Sequence, residues 1–242
     1  MSEILIHKIN KIISKNLREN FDTIKSNVVN VCSDLIEKNK ISKNKIYQKF
    51  KGCMRNGMTL LVHGYSSTVF NTLKECKKQG INVHVLITDC SKENSGKLMK
   101  QALAAEGIKC ELILDLSIGF YMNSIDCVVV GANAITENGG VINRMGTYSL
   151  AIIAKCFKKP FYVLSESLKY LKLYPIDQND IPFNKVEKEY DMIDNSSKKD
   201  EFDSEYICDY TPPDYISLYF TDEGIFTASA LSDEIIQTFY NQ

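Results

Sequence analysis

Neither sign of charge is in excess: 29 Lys and Arg stand against 30 Asp and Glu, a formal net charge of −1 over 242 residues. A general footprint for nucleic acid needs a basic excess on one face, so direct nucleic-acid binding is not expected. Long apolar runs are missing too. No stretch approaches the roughly 18 to 20 apolar residues of a membrane span, and the opening MSEILIHKINK lacks the uninterrupted apolar core of a signal peptide. A cytoplasmic protein without membrane contact is expected. The eight cysteines (32, 53, 76, 90, 110, 127, 156 and 208) form no C-x-x-C pair, and there are only three histidines. Buried reduced thiols are therefore expected in place of a zinc site or a disulfide framework, with neither metal nor other cofactor.

What is present is enough apolar material for one good-sized core. At 44% hydrophobic content the chain can bury that core plus a small helical attachment. From Ile4 to Phe50, ILIHKINKIISKNL and TIKSNVVNVCSDLIEKN place apolar residues at three-four spacing, as a helix requires. After RNGM (55–58) the texture changes to short apolar runs: TLLVHG (59–64), INVHVLIT (81–88), KCELILD (109–115), DCVVVGA (126–132), FYVLSE (161–166) and YISLYFT (215–221). Helix-length segments ending on Gly separate the first of these. Such alternation predicts right-handed crossovers and a Rossmann-like α/β domain, a parallel sheet with helices on both faces. The division expected is a helical N-terminal segment over 1–56 and the α/β domain over 57–242, with a charged, solvated insertion at about 187–209.

In such sheets ligands collect beyond the carboxyl ends of the strands, where loops enter helix N-termini. Three stretches converge there: VHGYSS, TDCSKENSGK and GANAITENGGVINRMGTYSLA (131–151). The last holds four glycines and three asparagines, offers no carboxylate except Glu137, and turns directly into a helical pattern.

Taken together, VVVGANAITENGGVINRMGTYSLAIIAK, KPFYVLSESLKY and DYTPPDYISLYFTDEGIFTASALSDEI resemble the regulatory subunits of eukaryotic translation initiation factor 2B, the alpha type best. These subunits share their fold with methylthioribose-1-phosphate and ribose-1,5-bisphosphate isomerases. The similarity runs from about Ile41 onward, and the helical part at the front is shorter than the family's N-terminal domain. The resemblance implies a homodimer that works with the beta and delta subunits and helps sense phosphorylated initiation factor 2, without catalysis of its own. In the isomerases a Cys after the first strand and an Asp after the fourth carry the proton transfers. Those positions read Gly64 and Asn133 here, and neither a bare backbone nor a neutral amide can move a proton near neutral pH. Glu137 and Asp89 are polar lining with no partner identifiable from sequence.

The rest of the implied pocket binds anions. Asn143 and Arg144 occupy the phosphate-contacting Asn-Lys positions, Gly146 and Thr147 open a helix whose amides favour negative charge, and Arg grips phosphate through two parallel bonds. Tyr65, Ser66, Ser95 and Gly96 complete the expected lining, with Ser95 where the isomerases usually have Gln. A sugar phosphate or nucleotide monophosphate is the ligand implied. Structural roles compete with these: Ser66 as a helix cap, Arg144 as an ion-pair partner, Gly131, Gly139 and Gly140 as turn residues, His63 and His84 as packed strand residues. The alternatives by class are an isomerase using other residues and a stand-alone sugar-phosphate or nucleotide sensor. At the end of the chain, Ile216, Leu218 and Phe220 alternate as a strand face. Leu231, Ile235, Ile236 and Phe239 form a helical stripe after a cap at Ser229, and this apolar excess is expected to form the dimer face.

Overall fold

The computed structural model describes residues 20–89, 94–181, 185–186 and 205–240. The expected helical residues before 20, and most of the charged stretch, lie outside them. Helix α1 (Phe21–Phe50) has 30 residues and reaches about 45 Å. It is buried mainly toward its C-terminal half, through Leu35, Ser42, Ile46, Tyr47 and Phe50. Then strand and helix alternate: β1 (Thr59–His63), α2 (Ser67–Lys78), β2 (His84–Thr88), α3 (Ser95–Ala105), β3 (Lys109–Ile113), the one-turn α4 (Ile118–Tyr121) and β4 (Cys127–Val130). Two short strands, β5 (Ala134–Thr136) and β6 (Val141–Arg144), precede α5 (Thr147–Cys156) and β7 (Phe161–Leu164). The remainder holds β8 (Tyr170–Leu171), β9 (Lys185–Val186), β10 (Glu205–Tyr206), β11 (Cys208–Thr211), β12 (Leu218–Phe220), β13 (Ile225–Phe226) and α6 (Ala228–Tyr240).

All six expected strands enter one seven-stranded sheet of order β13-β12-β7-β4-β1-β2-β3, parallel throughout except for β13, which pairs antiparallel with β12. Both faces are covered over β1, β2, β4 and β7, which therefore read as nearly continuous apolar runs, while edge strand β3 alternates and leaves Lys109 and Glu111 exposed. Leu60, Val62, Cys127 and Val129 pack under α1, α2 and α3, while Leu61, Val128 and Val130 pack under α5 and α6. The end of α1 is pinned by Phe50, whose ring meets Phe220 at 5.0 Å and Tyr162 at 6.1 Å, both edge-on. Burying a ring of that size contributes about 1.5–3 kcal/mol. Polar contacts complete the seam: Ser42 Oγ donates to Asp222 Oδ2 at 3.1 Å and Lys49 Nζ to the Asp222 carbonyl at 2.9 Å. The glycines ending α2 and α3 do what the sequence implied. Gly80 (φ +81) and Gly107 (φ +67) adopt the left-handed conformation, and Ile81 and Ile108 then donate back to Cys76 and Leu103 at 3.0 Å each.

Three expectations are corrected. The Gly- and Asn-rich stretch does not pass directly into a helix. It first folds as the hairpin β5–β6, the centre of a second sheet of order β11-β6-β5-β8. The charged stretch does not stay apart through 209, because β11 closes its end and pairs antiparallel with β6, Cys208 opposite Arg144 and Asp209 opposite Asn143. At the C-terminus Ser229 is not the cap. Helix α6 begins at Ala228, and Thr227 receives the Ala230 and Leu231 N–H groups on its Oγ1 and carbonyl oxygen. The apolar excess expected there is also used within the chain: Ile216, Tyr219, Phe220, Leu231, Ile235 and Phe239 are buried, and of the stripe only Ile236 is exposed, at 38%.

Candidate functional site

The carboxyl ends of β1, β2 and β4 and the end of β6 meet at one place. After β1 the chain turns through Gly64, held at φ +58, with its N–H donating to the Thr88 carbonyl at 2.9 Å. A Cβ at Gly64 would stand 2.9 Å from both Arg144 Cδ and Ser95 Oγ. Residues distant in sequence therefore pack against one another at Gly64, with no room for even a Cβ there. Ser95 is 2% exposed, and its Oγ has no hydrogen-bond partner among the described residues. An unpartnered buried hydroxyl costs about 1–3 kcal/mol unless something supplies the missing bond.

Gly96 and Gly131 allow close chain approach. A Cβ on Gly96 would lie 2.8 Å from the Thr88 carbonyl oxygen, and one on Gly131 only 2.3 Å from Ser66 Oγ. Gly131 and Gly140 lack a positive φ, so of the three glycines weighed as turn residues only Gly139 (φ +82) has that geometry. Ser66 caps α2 by accepting from Val69 N at 3.4 Å, and the Tyr65 ring stacks on Phe70 with centroids 6.4 Å apart.

Side-chain direction along β6 divides the expected set. Paired residues of an antiparallel ladder share a face and successive residues alternate, so Arg144 and Cys208 project to one side and Asn143 and Asp209 to the other. On the first side, exposed Asn133 donates from Nδ2 to Cys208 Sγ at 3.2 Å. Gly64, Ser95, Asn133, Arg144 and Cys208 thus form one wall. On the second side, Asn143 Nδ2 donates to Thr147 Oγ1 at 3.1 Å, which donates to the Arg144 carbonyl at 2.7 Å. Asp209 Oδ2 accepts from Gly146 N at 2.8 Å and Tyr148 N at 2.9 Å.

The N-terminal amides of α5 expected to receive an external phosphate are therefore occupied by an internal carboxylate. Gly96 N at the start of α3 is likewise taken by Asp89 Oδ1 at 2.8 Å, and Asp89 N by Asp115 Oδ1 at 3.0 Å. Burial pushes the Asp209 carboxyl up to about 6, against the opposing pull of the Tyr148 and Gly146 N–H groups, and its Oδ1 is buried without a partner among the described residues. Asp115 is also raised by burial. His63, 4% exposed, shares hydrogen bonds with Thr88 Oγ1 and the Met145 carbonyl, each at 2.8 Å. Burial lowers its pKa, and the carbonyl can only accept, so the neutral ring carries its proton on Nε2. His63 is thus a packed strand residue that ties β1 to the β6–α5 turn. His84 sits at the sheet margin, 3.0 Å from Glu111.

Glu137 stands beyond the far end of β5, about 13 Å along the chain from Asn133. Cys208 and Asp209 were hidden from sequence reasoning because they close a charged stretch. The only local sign is the alternation of CDYT before Pro-Pro. No group of three or more His, Cys, Asp or Glu among the described residues is placed to hold a metal ion. The first wall therefore offers one guanidinium, one buried hydroxyl, one carboxamide and one half-buried thiol.

A sequence model of the initiation factor 2 subunit family matches residues 3–228. The translation initiation factor eIF2B subunit alpha of Dictyostelium discoideum is 40% identical over 230 residues, covering 91% of this chain and 71% of its own length. Its Caenorhabditis elegans counterpart is 33% identical over 199 residues, covering 82% and 64% respectively, so this chain spans less than two thirds of that relative. The ribose 1,5-bisphosphate isomerase of Archaeoglobus fulgidus is 31% identical over 152 residues, covering 63% of this chain and 49% of the isomerase. Among solved structures, a Pyrococcus horikoshii translation initiation factor eIF-2B superposes with a TM-score of 0.71 at 25% identity, covering 85% of this chain and 70% of that one. A chain of the tetrameric eIF2B beta2-delta2 complex of C. thermophilum superposes at 0.72 with 18% identity, which supports the fold alone, covering 97% and 71%. By sequence and by fold, the chain belongs to the initiation factor 2 subunit family.

Proposed function

We propose that this chain is a non-catalytic regulatory subunit of the eIF2B guanine-nucleotide exchange complex, acting in the cytoplasm. The observation that carries this reading is the 40% identity to a subunit alpha over 91% of the chain. Gly64 and Asn133 support it, since neither can exchange a proton near neutral pH. The nearby carboxylates do not replace them: Glu137 lies across the hairpin, and Asp89 holds the start of α3. As such a subunit it pairs with a second copy, joins the beta and delta subunits, and lowers exchange when initiation factor 2 is phosphorylated. Adding the chain to an exchange complex lacking subunit alpha tests this: exchange should become sensitive to phosphorylated initiation factor 2, and an unchanged rate would contradict the reading.

For the homodimer, the surface that fits best has moved from the C-terminal helix to the segment after edge strand β3. Leu114, Leu116 and Phe120 are 77%, 100% and 82% exposed, a larger apolar display than the end of the chain offers. Within the same reading, the wall of Gly64, Ser95, Asn133 and Arg144 takes a sugar phosphate or nucleotide monophosphate. Arg144 supplies the charge, while Ser95 Oγ gains its missing partner. Saturation at a hundred times the dissociation constant stabilises the fold by about 2.7 kcal/mol. A ligand-dependent thermal shift that disappears in Arg144→Ala is expected, and an equal shift in the variant would refute this placement.

A further inference from the structure

Helix α5 starts beside the candidate wall and, over its ten residues, carries the chain about 15 Å to the opposite end of the sheet. There it reaches the amino-terminal ends of β7 and β12, which Ser217 joins: Phe161 N donates to Ser217 Oγ at 3.0 Å and Ser217 N to the Phe161 carbonyl at 2.8 Å. A cleft of about 430 Å³ opens between the end of α5 and the turn Pro213–Tyr215, and its lining includes Lys155, Lys158, Lys159, Asp214, Tyr215 and Ser217. Three cations therefore share it with one carboxylate. None of the three ammonium groups forms an ion pair among the described residues: Lys155 Nζ lies 4.5 Å from the centroid of the Tyr215 ring, and Lys159 Nζ donates to the Asn123 carbonyl at 3.1 Å. Tyr215 is held in turn by Tyr148, edge-on with centroids 5.3 Å apart.

The backbone at the end of α5 carries a second sign. Helices α2 and α3 finish with the same pair of returning bonds, Gly80 N to the Lys77 carbonyl with Ile81 N to Cys76, and Gly107 N to Ala104 with Ile108 N to Leu103, each at 3.0 Å. Helix α5 repeats them with Lys158 N to Lys155 at 3.0 Å and Lys159 N to Ala154 at 2.9 Å, but here the left-handed residue, at φ +55, is a lysine. Among the described residues only Asn94 is also a non-glycine at positive φ, and Asn tolerates that region better than Lys does. Lys155, in the last turn, already supplies a cation to complement the helix C-terminus, so that role does not require a lysine in this conformation. A residue kept where its backbone is disfavoured points to a role for its side chain. We propose that this cleft binds a compact oligophosphate of the pyrophosphate class, held by Lys155, Lys158 and Lys159 with the Ser217 hydroxyl as a further donor. Two phosphate groups bring about three negative charges near neutral pH, which the three ammonium groups match, whereas a single phosphate brings about two. Each lysine acts as a point charge with three donors, and the cleft is of the size that takes small molecules, about 300–1,000 Å³. The site stands apart from Arg144 and does not depend on what the strand-end wall takes.

Titration calorimetry with inorganic pyrophosphate, together with reductive methylation of lysines and mass mapping, tests the site. Binding should be saturable, tighter for pyrophosphate than for orthophosphate, and weaker as salt rises. Pyrophosphate at about ten times its dissociation constant should slow methylation of Lys155, Lys158 and Lys159 about tenfold and leave exposed Lys45 on α1 unchanged. Lys158→Gly is the most telling variant, because glycine suits the left-handed turn: it should melt at or above the wild-type temperature yet bind pyrophosphate about tenfold more weakly. Lys155→Gln combined with Lys158→Gly should abolish binding, and Arg144→Ala should leave it intact. Adenosine diphosphate, which carries the same two phosphates on a nucleoside, should bind no more tightly than pyrophosphate. No saturable binding, unchanged affinity in the lysine variants, or equal protection of Lys45 would overturn the proposal. Loss of binding in Arg144→Ala would overturn it too, by placing the anion at the strand-end wall, as would tighter binding of adenosine diphosphate, which would make the nucleoside the recognised part.

Discussion

Replacing Gly64 with alanine perturbs two physical terms that the structure allows to be separated. The residue sits at φ +58, where a Cβ costs about 1–2 kcal/mol in an L-residue. Its Cβ would also stand 2.9 Å from Arg144 Cδ and Ser95 Oγ, and forcing atoms into a packed position costs typically about 1–3 kcal/mol. Gly57 provides the control: it has φ +83, but a Cβ there would meet nothing within 4 Å. Gly57→Ala should therefore lose only the conformational term, and Gly64→Ala about 1–3 kcal/mol more. For a chain of this length each kcal/mol lowers the melting temperature by about 2–4 °C. Urea titration and thermal melting of both variants give the two values. Equal losses at the two positions would refute the packed arrangement of Gly64, Ser95 and Arg144. The same geometry implies that restoring a thiol through Gly64→Cys strains the turn and displaces Arg144, so it should not recover an isomerase.

Other outcomes are equally definite. The protein should turn over neither methylthioribose 1-phosphate nor ribose 1,5-bisphosphate; turnover above a buffer blank that survives Glu137→Gln would contradict the non-catalytic reading. Asp209, raised to about 6 from 3.8, binds a proton more tightly folded than unfolded. Its contribution to stability is therefore full below the unfolded pKa and is lost as pH rises through about 6. Between pH 4 and 7 wild type should lose up to about 3 kcal/mol relative to Asp209→Asn, whose amide oxygen can still accept from Gly146 and Tyr148; parallel pH curves would refute the burial argument. Leu116→Asp with Phe120→Asp should shift the mass in solution from twice the chain's 27.5 kDa to the single chain, without lowering the melting temperature of the monomer. A wild type of 27.5 kDa at every concentration would rule out a stable homodimer.

Six of the seven strands of the large sheet were legible because each is a short run rich in apolar residues between turn signals, and because Gly80 and Gly107 mark helix ends by their need for positive φ; the two-residue β13 gives no such signal. Gly64 and Arg144 could be placed near one another from the rule that sites form at strand carboxyl ends. The second sheet was not legible. Strand β5 is three residues long inside a stretch rich in Gly and Asn, and β11 is held by pairing with β6, some 60 residues away. Local pattern carries no trace of such a pairing, so Asp209 was missed and the α5 amides were assigned to an external anion. The alternation of Asn143 and Arg144 between two faces follows only once β6 is known to be a strand. Apolar spacing at the C-terminus was read correctly as a helix and, for Leu218 and Phe220, as one strand face, but Ile216 lies before β12 and packs on the opposite side with Tyr219, and spacing could not say that their own sheet buries them.

Native mass measurement of the assembly recovered from cells through a tag on this chain decides whether it works as a subunit of the exchange complex. The expected result is a complex that holds two copies of the chain together with the beta and delta subunits of the exchange factor. Recovery of the chain only by itself, at 27.5 kDa or as a simple multiple with no other subunit attached, would contradict it.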